Sequence, residues 1–184
     1  MRILVCVKQV PSTNEVRLDP VTRTILRDGR QSVLNPFDIY AIEAAVRLKE
    51  QLGGRVCALS MGIPATERLL RDAMARGVDE AMLLTDRAFA GADTLATSYA
   101  LRLGVEKLGA YDLILCGKMA VDGDTAQIGP ELSAQLGIPC VTDVCEILSA
   151  GEGCVQVKKV TDSGFCELEV QLPALLTVTK DAAQ

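Results

Sequence analysis

The residues best placed to do chemistry lie in one stretch: Gly117, Lys118, Met119, Ala120, Val121, Asp122, Gly123, Asp124, Thr125, Ala126, Gln127 and Ile128, closed by Gly129-Pro130. It follows Leu113-Ile114-Leu115-Cys116, a continuous apolar run of the kind a parallel strand shows when buried on both faces. In an open α/β sheet, ligands bind beyond the carboxyl ends of such strands. Gly117 and Gly123 permit close backbone approach. The amides of Thr125, Ala126, Gln127 and Ile128 fall at a helix start, where unpaired N–H groups favour phosphate oxygens. The stretch therefore reads as a nucleotide cradle. An ordinary strand-to-helix loop would carry similar glycines; the length and polarity of this one favour a site.

Other chemistry is poorly represented. The chain has no histidine, so the commonest general base and metal ligand are both missing. Its seven cysteines, at 6, 57, 116, 140, 145, 154 and 166, are odd in number and show no Cys-x-x-Cys spacing, which suggests neither a disulfide framework nor a zinc site. Cys6, Cys57 and Cys116 sit in apolar runs, where a thiol serves as a small core residue. Reactive chemistry is expected to belong to a bound cofactor. A net charge of -5 without a basic stripe argues against nucleic acid as a partner. The apolar start Ile3 to Val7 is too short for a signal core and meets Lys8 at once, and no run is long enough to span a bilayer, so the expected compartment is the cytoplasm.

The elements that must position the cradle follow a repeating grammar. Ile3–Val7, Val56–Ser60, Ala81–Leu84 and Leu113–Cys116 read as strands. Helices are expected from Pro36 to about Leu52, Ala65 to Arg76, Leu95 to Leu108 and Gln127 to Leu136. Asn35 caps the first, with Pro36 in its first turn and Asp38 near its positive end. Asp93 or Thr94 caps the third. This alternation predicts an α/β fold: a doubly wound, mainly parallel sheet with helices on both faces, of Rossmann-like kind. With the first and fourth strands adjacent, Cys6 to Val10 and Cys116 to Thr125 line one crevice. Residues 1–184 are read as a single nucleotide-binding domain, with a hairpin insertion at 11–33 lying outside the main sheet. Residues 150–184 are expected to form antiparallel or edge strands around a hairpin at Asp162-Ser163-Gly164, ending with Leu175–Val178.

Several motifs in this order resemble the beta subunit of electron transfer flavoproteins along nearly the whole chain. They are Val7-Lys8-Gln9-Val10-Pro11, Asn35-Pro36-Phe37-Asp38 with Tyr40-Ala41, Ser60-Met61-Gly62, Asp86-Arg87-Ala88-Phe89 through Gly91-Ala92-Asp93-Thr94-Leu95-Ala96-Thr97, and Asp122-Gly123-Asp124-Thr125-Ala126-Gln127 before Gly129-Pro130-Glu131. The resemblance implies a nucleotide-binding α/β fold, an alpha-subunit partner carrying FAD, and acyl-CoA or other dehydrogenases as electron donors or acceptors. Housekeeping members hold a structural AMP. Members similar to this chain between Asp86 and Thr97 and at Asp-Thr-Ala-Gln bind a second FAD, which takes a hydride from NADH and splits the electron pair.

By matching motif, the resemblance places the adenylate moiety against Cys6, Asn35, Asp38, Met61 and Gly117 to Ile128, and the flavin ring near Thr94 and Thr97. Each has a plainer reading: Asn35 and Thr94 as helix caps, Met61 as core, Thr97 bonded back along its helix. Carboxylates beside phosphate repel, so Asp122 and Asp124 are expected to contact ribose or shape the loop. Met119 stands where a Gln is common in the family. Members continue beyond the position of Gln184 through a dehydrogenase-docking loop and an arm around the alpha subunit, so the resemblance implies a truncated chain. The rival readings are an AMP-binding structural subunit without a redox role, and an adenylate-transferring or ATP-hydrolysing enzyme. The second is disfavoured because the chain has neither Gly-x-x-x-x-Gly-Lys-Ser/Thr nor Gly-x-Gly-x-x-Gly.

Overall fold

A computed structural model describes residues 1–12, 32–151 and 153–183. Strands β1 (Arg2–Cys6), β2 (Gln9–Pro11) and β3 (Ser32–Leu34) lead into helix α1 (Pro36–Leu52). The chain continues through β4 (Arg55–Met61), α2 (Glu67–Ala75), β5 (Glu80–Leu84), α3 (Thr94–Leu108), β6 (Leu113–Gly117) and α4 (Ile128–Leu136). It closes with β7 (Cys140–Gly151), β8 (Cys154–Thr161), β9 (Gly164–Gln171) and β10 (Ala174–Val178).

Eight strands form one sheet in the order β5-β4-β1-β6-β10-β7-β8-β9. Pairing is parallel from β5 to β7 and antiparallel through β7, β8 and β9. The sheet grows outward from β1 in both directions, through β4 and β5 on one side and β6 and β10 on the other. The expected doubly wound, mainly parallel sheet is thus present, and β1 and β6 are neighbours with Cys6 opposite Cys116.

Side chains alternate between two apolar layers, as the strand period requires. Ile3, Val5, Val56, Ala58, Leu113, Leu115 and Leu176 pack with Ala41, Ile42, Ala45 of α1 and Leu69, Leu70 of α2. Leu4, Cys6, Cys57, Leu59, Ile114, Cys116 and Leu175 form the opposite layer with Leu101 and Val105 of α3 and Leu132 of α4. Helices therefore cover both faces, and the central strands read as unbroken apolar runs for that reason.

Two features depart from the sequence reading. The run Ala174–Val178, expected at an edge, lies between β6 and β7 and is wholly buried. Its residues Ala-Leu-Leu-Thr-Val carry the same both-faces-buried signature as Leu113–Cys116, and its pairing with β6 crosses about 60 residues of sequence that no local pattern encodes. β7, in the stretch 140–151, has no counterpart among the expected strands; Asp143, at φ 58° and beside a register irregularity against β10, interrupts its period. β8 and β9 do form an antiparallel hairpin at the sheet's edge. Most of the hairpin insertion expected at 11–33 lies outside the described residues; β2 and β3 at its two ends pair antiparallel in a sheet of their own.

Among the described residues no helix is long and apolar enough to cross a membrane.

Candidate functional site

The crevice begins where β1 and β6 end side by side. The first strand passes into Val7 and Lys8, the second into the 118–127 loop, and the start of α1 fills the space beneath both.

Asn35 is the hub of this floor. Its backbone amide donates to Lys8 O at 2.9 Å. Its side-chain Nδ2 donates to Asp38 Oδ1 at 3.0 Å and to Met119 O at 2.9 Å, and its Oδ1 accepts from the Val121 amide at 3.2 Å. Asn35 occupies the N-cap position of α1, yet its side chain makes no capping bond. The expected cap is corrected on this point: the long-range partners, two of them amide-loop groups more than 80 residues away, use up the side chain. Asp38 lies beside it, accepting from the Lys8 amide at 2.7 Å and from the Gly117 amide. Asn35 is 1% exposed and Asp38 6%. Burial pushes the Asp38 carboxyl up to about 7, against the lowering effect of its hydrogen bonds from Asn35, Lys8 and Gly117 and of the Lys8 charge.

Gly117 belongs to this packing. A Cβ there would lie 2.4 Å from Asp38 Oδ1 and 2.6 Å from the Phe37 carbonyl carbon, so the glycine lets α1 approach β6 rather than a ligand approach the loop. Gly123, by contrast, faces open space.

Above the floor the loop is pinned by its own backbone. The amides of Gly123 and Asp124 donate to Ala120 O at 3.2 and 2.9 Å, and Lys118 N donates to Val178 O at 2.9 Å. Asp124 and Ala126 take left-handed φ values of 51° and 53°, uncommon for residues with a side chain. The amides of Thr125, Ala126 and Gln127 have no acceptor among the described residues. Ile128 opens α4, whose first-turn amides lack partners within the helix. Residues Val121 to Gln127 are all exposed. The result is an open row of donors running into the positive end of a helix.

Asp122 Oδ1 accepts from Lys8 Nζ at 2.6 Å, offsetting its charge at the rim. Lys118 Nζ pairs with Asp143 at 2.6 Å, tying the loop's start to β7.

On the other side of the donor row stands the start of α3. Asp93, not Thr94, caps it, accepting from the Ala96 amide at 2.8 Å. Thr94 Oγ1 instead donates to Glu131 Oε1 at 3.0 Å and lies 3.5 Å from Gln127 Oε1, joining α3 to the start of α4. Thr97, one turn on and half-buried, makes no side-chain hydrogen bond among the described residues. Met61 ends β4 and packs partly buried on the α3/α4 layer, to which buried Cys6 also belongs. The Cys116 thiol is pushed up by its hydrogen bond with Cys6 and by burial, and burial likewise raises Cys57, so these thiols stay protonated and serve as core.

The structure therefore brings buried Asn35 and Asp38 together with half-buried Gly117 to Ala120 as a floor, Val121 to Gln127 as an exposed rim leading into half-buried Ile128, and Thr94 against the rim's far end. Lys8 and Glu131 complete the arrangement. Sequence reasoning did not single them out as site residues; a lone cation just past an apolar strand was the only available sign of Lys8.

A doubly wound α/β sheet with a donor-rich loop at its reversal point defines a nucleotide-binding class of fold. The electron transfer flavoprotein domain family matches residues 22–184. The electron transfer flavoprotein subunit beta of Thermoanaerobacterium thermosaccharolyticum is 51% identical over 181 residues, covering 98% of this chain and 69% of its own. Protein FixA of Azorhizobium caulinodans is 46% identical over 97% of this chain and 66% of its own length. The caffeyl-CoA reductase-Etf complex subunit CarD of Acetobacterium woodii is 48% identical over 98% and 69%. The chain belongs to the electron transfer flavoprotein family, and its likeness within it is to the beta subunits.

Proposed function

We propose that this chain binds the adenylate part of FAD, or AMP in its place, in the β1/β6 crevice, and relays electrons from NADH or a dehydrogenase to the FAD of an alpha subunit in a cytoplasmic heterodimer. The observation that carries the reading is the row of unpaired amides at Thr125, Ala126 and Gln127 leading into α4. These donors match phosphate oxygens in number and chemistry, and the Lys8–Asp122 pair leaves no uncompensated carboxylate at that rim position. The floor residues Asn35 and Asp38 hold the loop in shape. Cys6 and Met61 supply apolar wall, and Thr94 and Thr97 lie toward the end where a ring larger than adenylate would extend. A flavin held there would supply the redox chemistry. The chain's own part is to bind, orient and exclude water; no side chain is required as nucleophile or base.

The two-flavin version, in which electron pairs from NADH are split, is favoured by the family resemblance of the segment from Asp86 to Thr97 and of Asp124-Thr125-Ala126-Gln127. The second reading, a structural AMP subunit, is supported by the donor row at Thr125 to Gln127, which needs no contribution from Thr94 or Thr97 to meet a phosphate. Copurifying the chain with its alpha subunit, extracting and weighing the bound nucleotide, and following the flavin spectrum on NADH addition separates the two. Two FAD per heterodimer and bleaching by NADH is the expected result. AMP with a single FAD and no bleaching removes the two-flavin version; no adenine nucleotide at all removes both.

A further inference from the structure

We propose that Asp38 is a positioning residue for the 117–121 segment, acting through Asn35: it orients the Asn35 amide onto Met119 and Val121 and does not itself touch the ligand. This rests on the adenylate reading of the crevice for its purpose, but its geometry stands apart from any ligand.

An Asn side chain can be turned either way about its terminal bond, and the two orientations exchange donor for acceptor. With Asp38 ionised, only one orientation works. With Nδ2 toward Asp38 Oδ1 at 3.0 Å and Met119 O at 2.9 Å, the carbonyl Oδ1 is left for the Val121 amide at 3.2 Å. Reversal would set an oxygen against two oxygens and an NH2 against an N–H. Asp38 is held in its turn by the amides of Lys8 and Gly117, so its carboxyl is fixed to the ends of both β1 and β6. The chain of contacts runs from the sheet, through Asp38 and Asn35, to the two residues that launch the loop. Both side chains are nearly fully buried, and a ligand lying on the rim meets the loop they hold, not their polar atoms. Buried networks of this kind fix one geometry when every member is satisfied, as these are.

Few charges face Asp38. Lys8 from the β1 end is the cation, itself paired with Asp122 of the loop; Cys116 of β6 is a thiol kept protonated; Lys118 is occupied by Asp143. Titration of Asp38, which burial brings up to about 7, is therefore a clean signal by which to follow the network.

The test uses NMR on the full chain with Asp38→Asn and Asn35→Ala variants. In the parent protein the Val121 amide and the Asn35 side-chain amide shift with pH on the midpoint of the Asp38 carboxyl, and in D38N that shift vanishes. Hydrogen exchange at Val121 quickens at least tenfold in N35A and at least threefold in D38N, while the strand amides of Leu4 and Leu115 keep their protection. AMP affinity falls at least fivefold in N35A and threefold in D38N. The proposal is overturned if the Asp38 carboxyl titrates while the Val121 amide stays flat, a result the parent protein alone delivers even where a variant fails to fold. It is also overturned if both variants keep parental exchange at Val121. A parent protein that binds neither AMP nor FAD refutes the nucleotide reading instead, and the ligand-free shifts still decide the role of Asp38.

Discussion

Asp38 couples the site to pH in a direction that can be stated. Its carboxyl titrates near 3.8 when unfolded and, because burial disfavours the charge, near 7 when folded. Between about pH 4 and 7 the native state holds a proton that the unfolded state has released, so the contribution of this residue to stability declines as pH rises through that window. The unfolding free energy of the parent protein minus that of D38N is expected to fall between pH 4.5 and 7.5 in urea titrations; a constant or rising difference contradicts the assignment. Gly117→Ala is a second residue-scale probe. Its Cβ would press on Asp38 and the Phe37 backbone, and a loss of about 1–3 kcal/mol in unfolding free energy is expected from the forced shift. At this scale the sequence was only partly legible. Asn35 and Asp38 announced themselves through their place at the start of a helix, but what Asn35 binds could not be read, because Met119 and Val121 lie more than 80 residues on. Gly117 was legible as a close approach, with the approaching group misjudged: it is α1.

Among the elements, α4 must bring its amino end to the rim while lying hard against β10. Gly129 allows this, since a Cβ there would meet Thr177 Cγ2 at 2.4 Å. Gly129→Ala is expected to lower the melting temperature and, by displacing the helix start, to weaken AMP binding; Gly123→Ala, facing open space, is expected to leave unfolding free energy within about 0.5 kcal/mol of the parent. Thermal melts and AMP titrations of the two variants side by side check the contrast. The four helices and strands β1, β4, β5 and β6 were legible because each carries its own period and its own stop, such as Gly53 after α1 and Gly137 after α4; the three-residue strands β2 and β3 are too short to show a period. β7 was not, because Asp143 in a left-handed conformation breaks its alternation and its bulged pairing with β10 is decided elsewhere in the chain.

For the whole molecule, the placement of β10 matters most. Ala174–Val178 sits beside β6, so the site-bearing strand is flanked on that side by residues about 60 positions further along the chain. Leu176, wholly buried there, and Leu168, 38% exposed on β9, make a direct comparison. Leu176→Ala is expected to cost about 2–5 kcal/mol and Leu168→Ala well under half of that, as read from denaturant midpoints at equal slope. The run Leu175–Val178 reads in the sequence as an edge strand despite its apolar composition, because adjacency in a parallel sheet is set by crossovers and not by neighbouring residues. The reversal point between β1 and β6 was legible for the opposite reason, since the alternation of strands and helices leaves few ways to wind a sheet.

Nucleotide binding as proposed requires the amides past β6 to hold a phosphate. An amide-resolved NMR titration with AMP, run beside adenosine, tests it. The prediction is that the N–H resonances of Thr125, Ala126 and Gln127 move downfield on adding AMP and remain in place on adding adenosine. Equal responses to both compounds, or shifts confined to another part of the molecule, would contradict it.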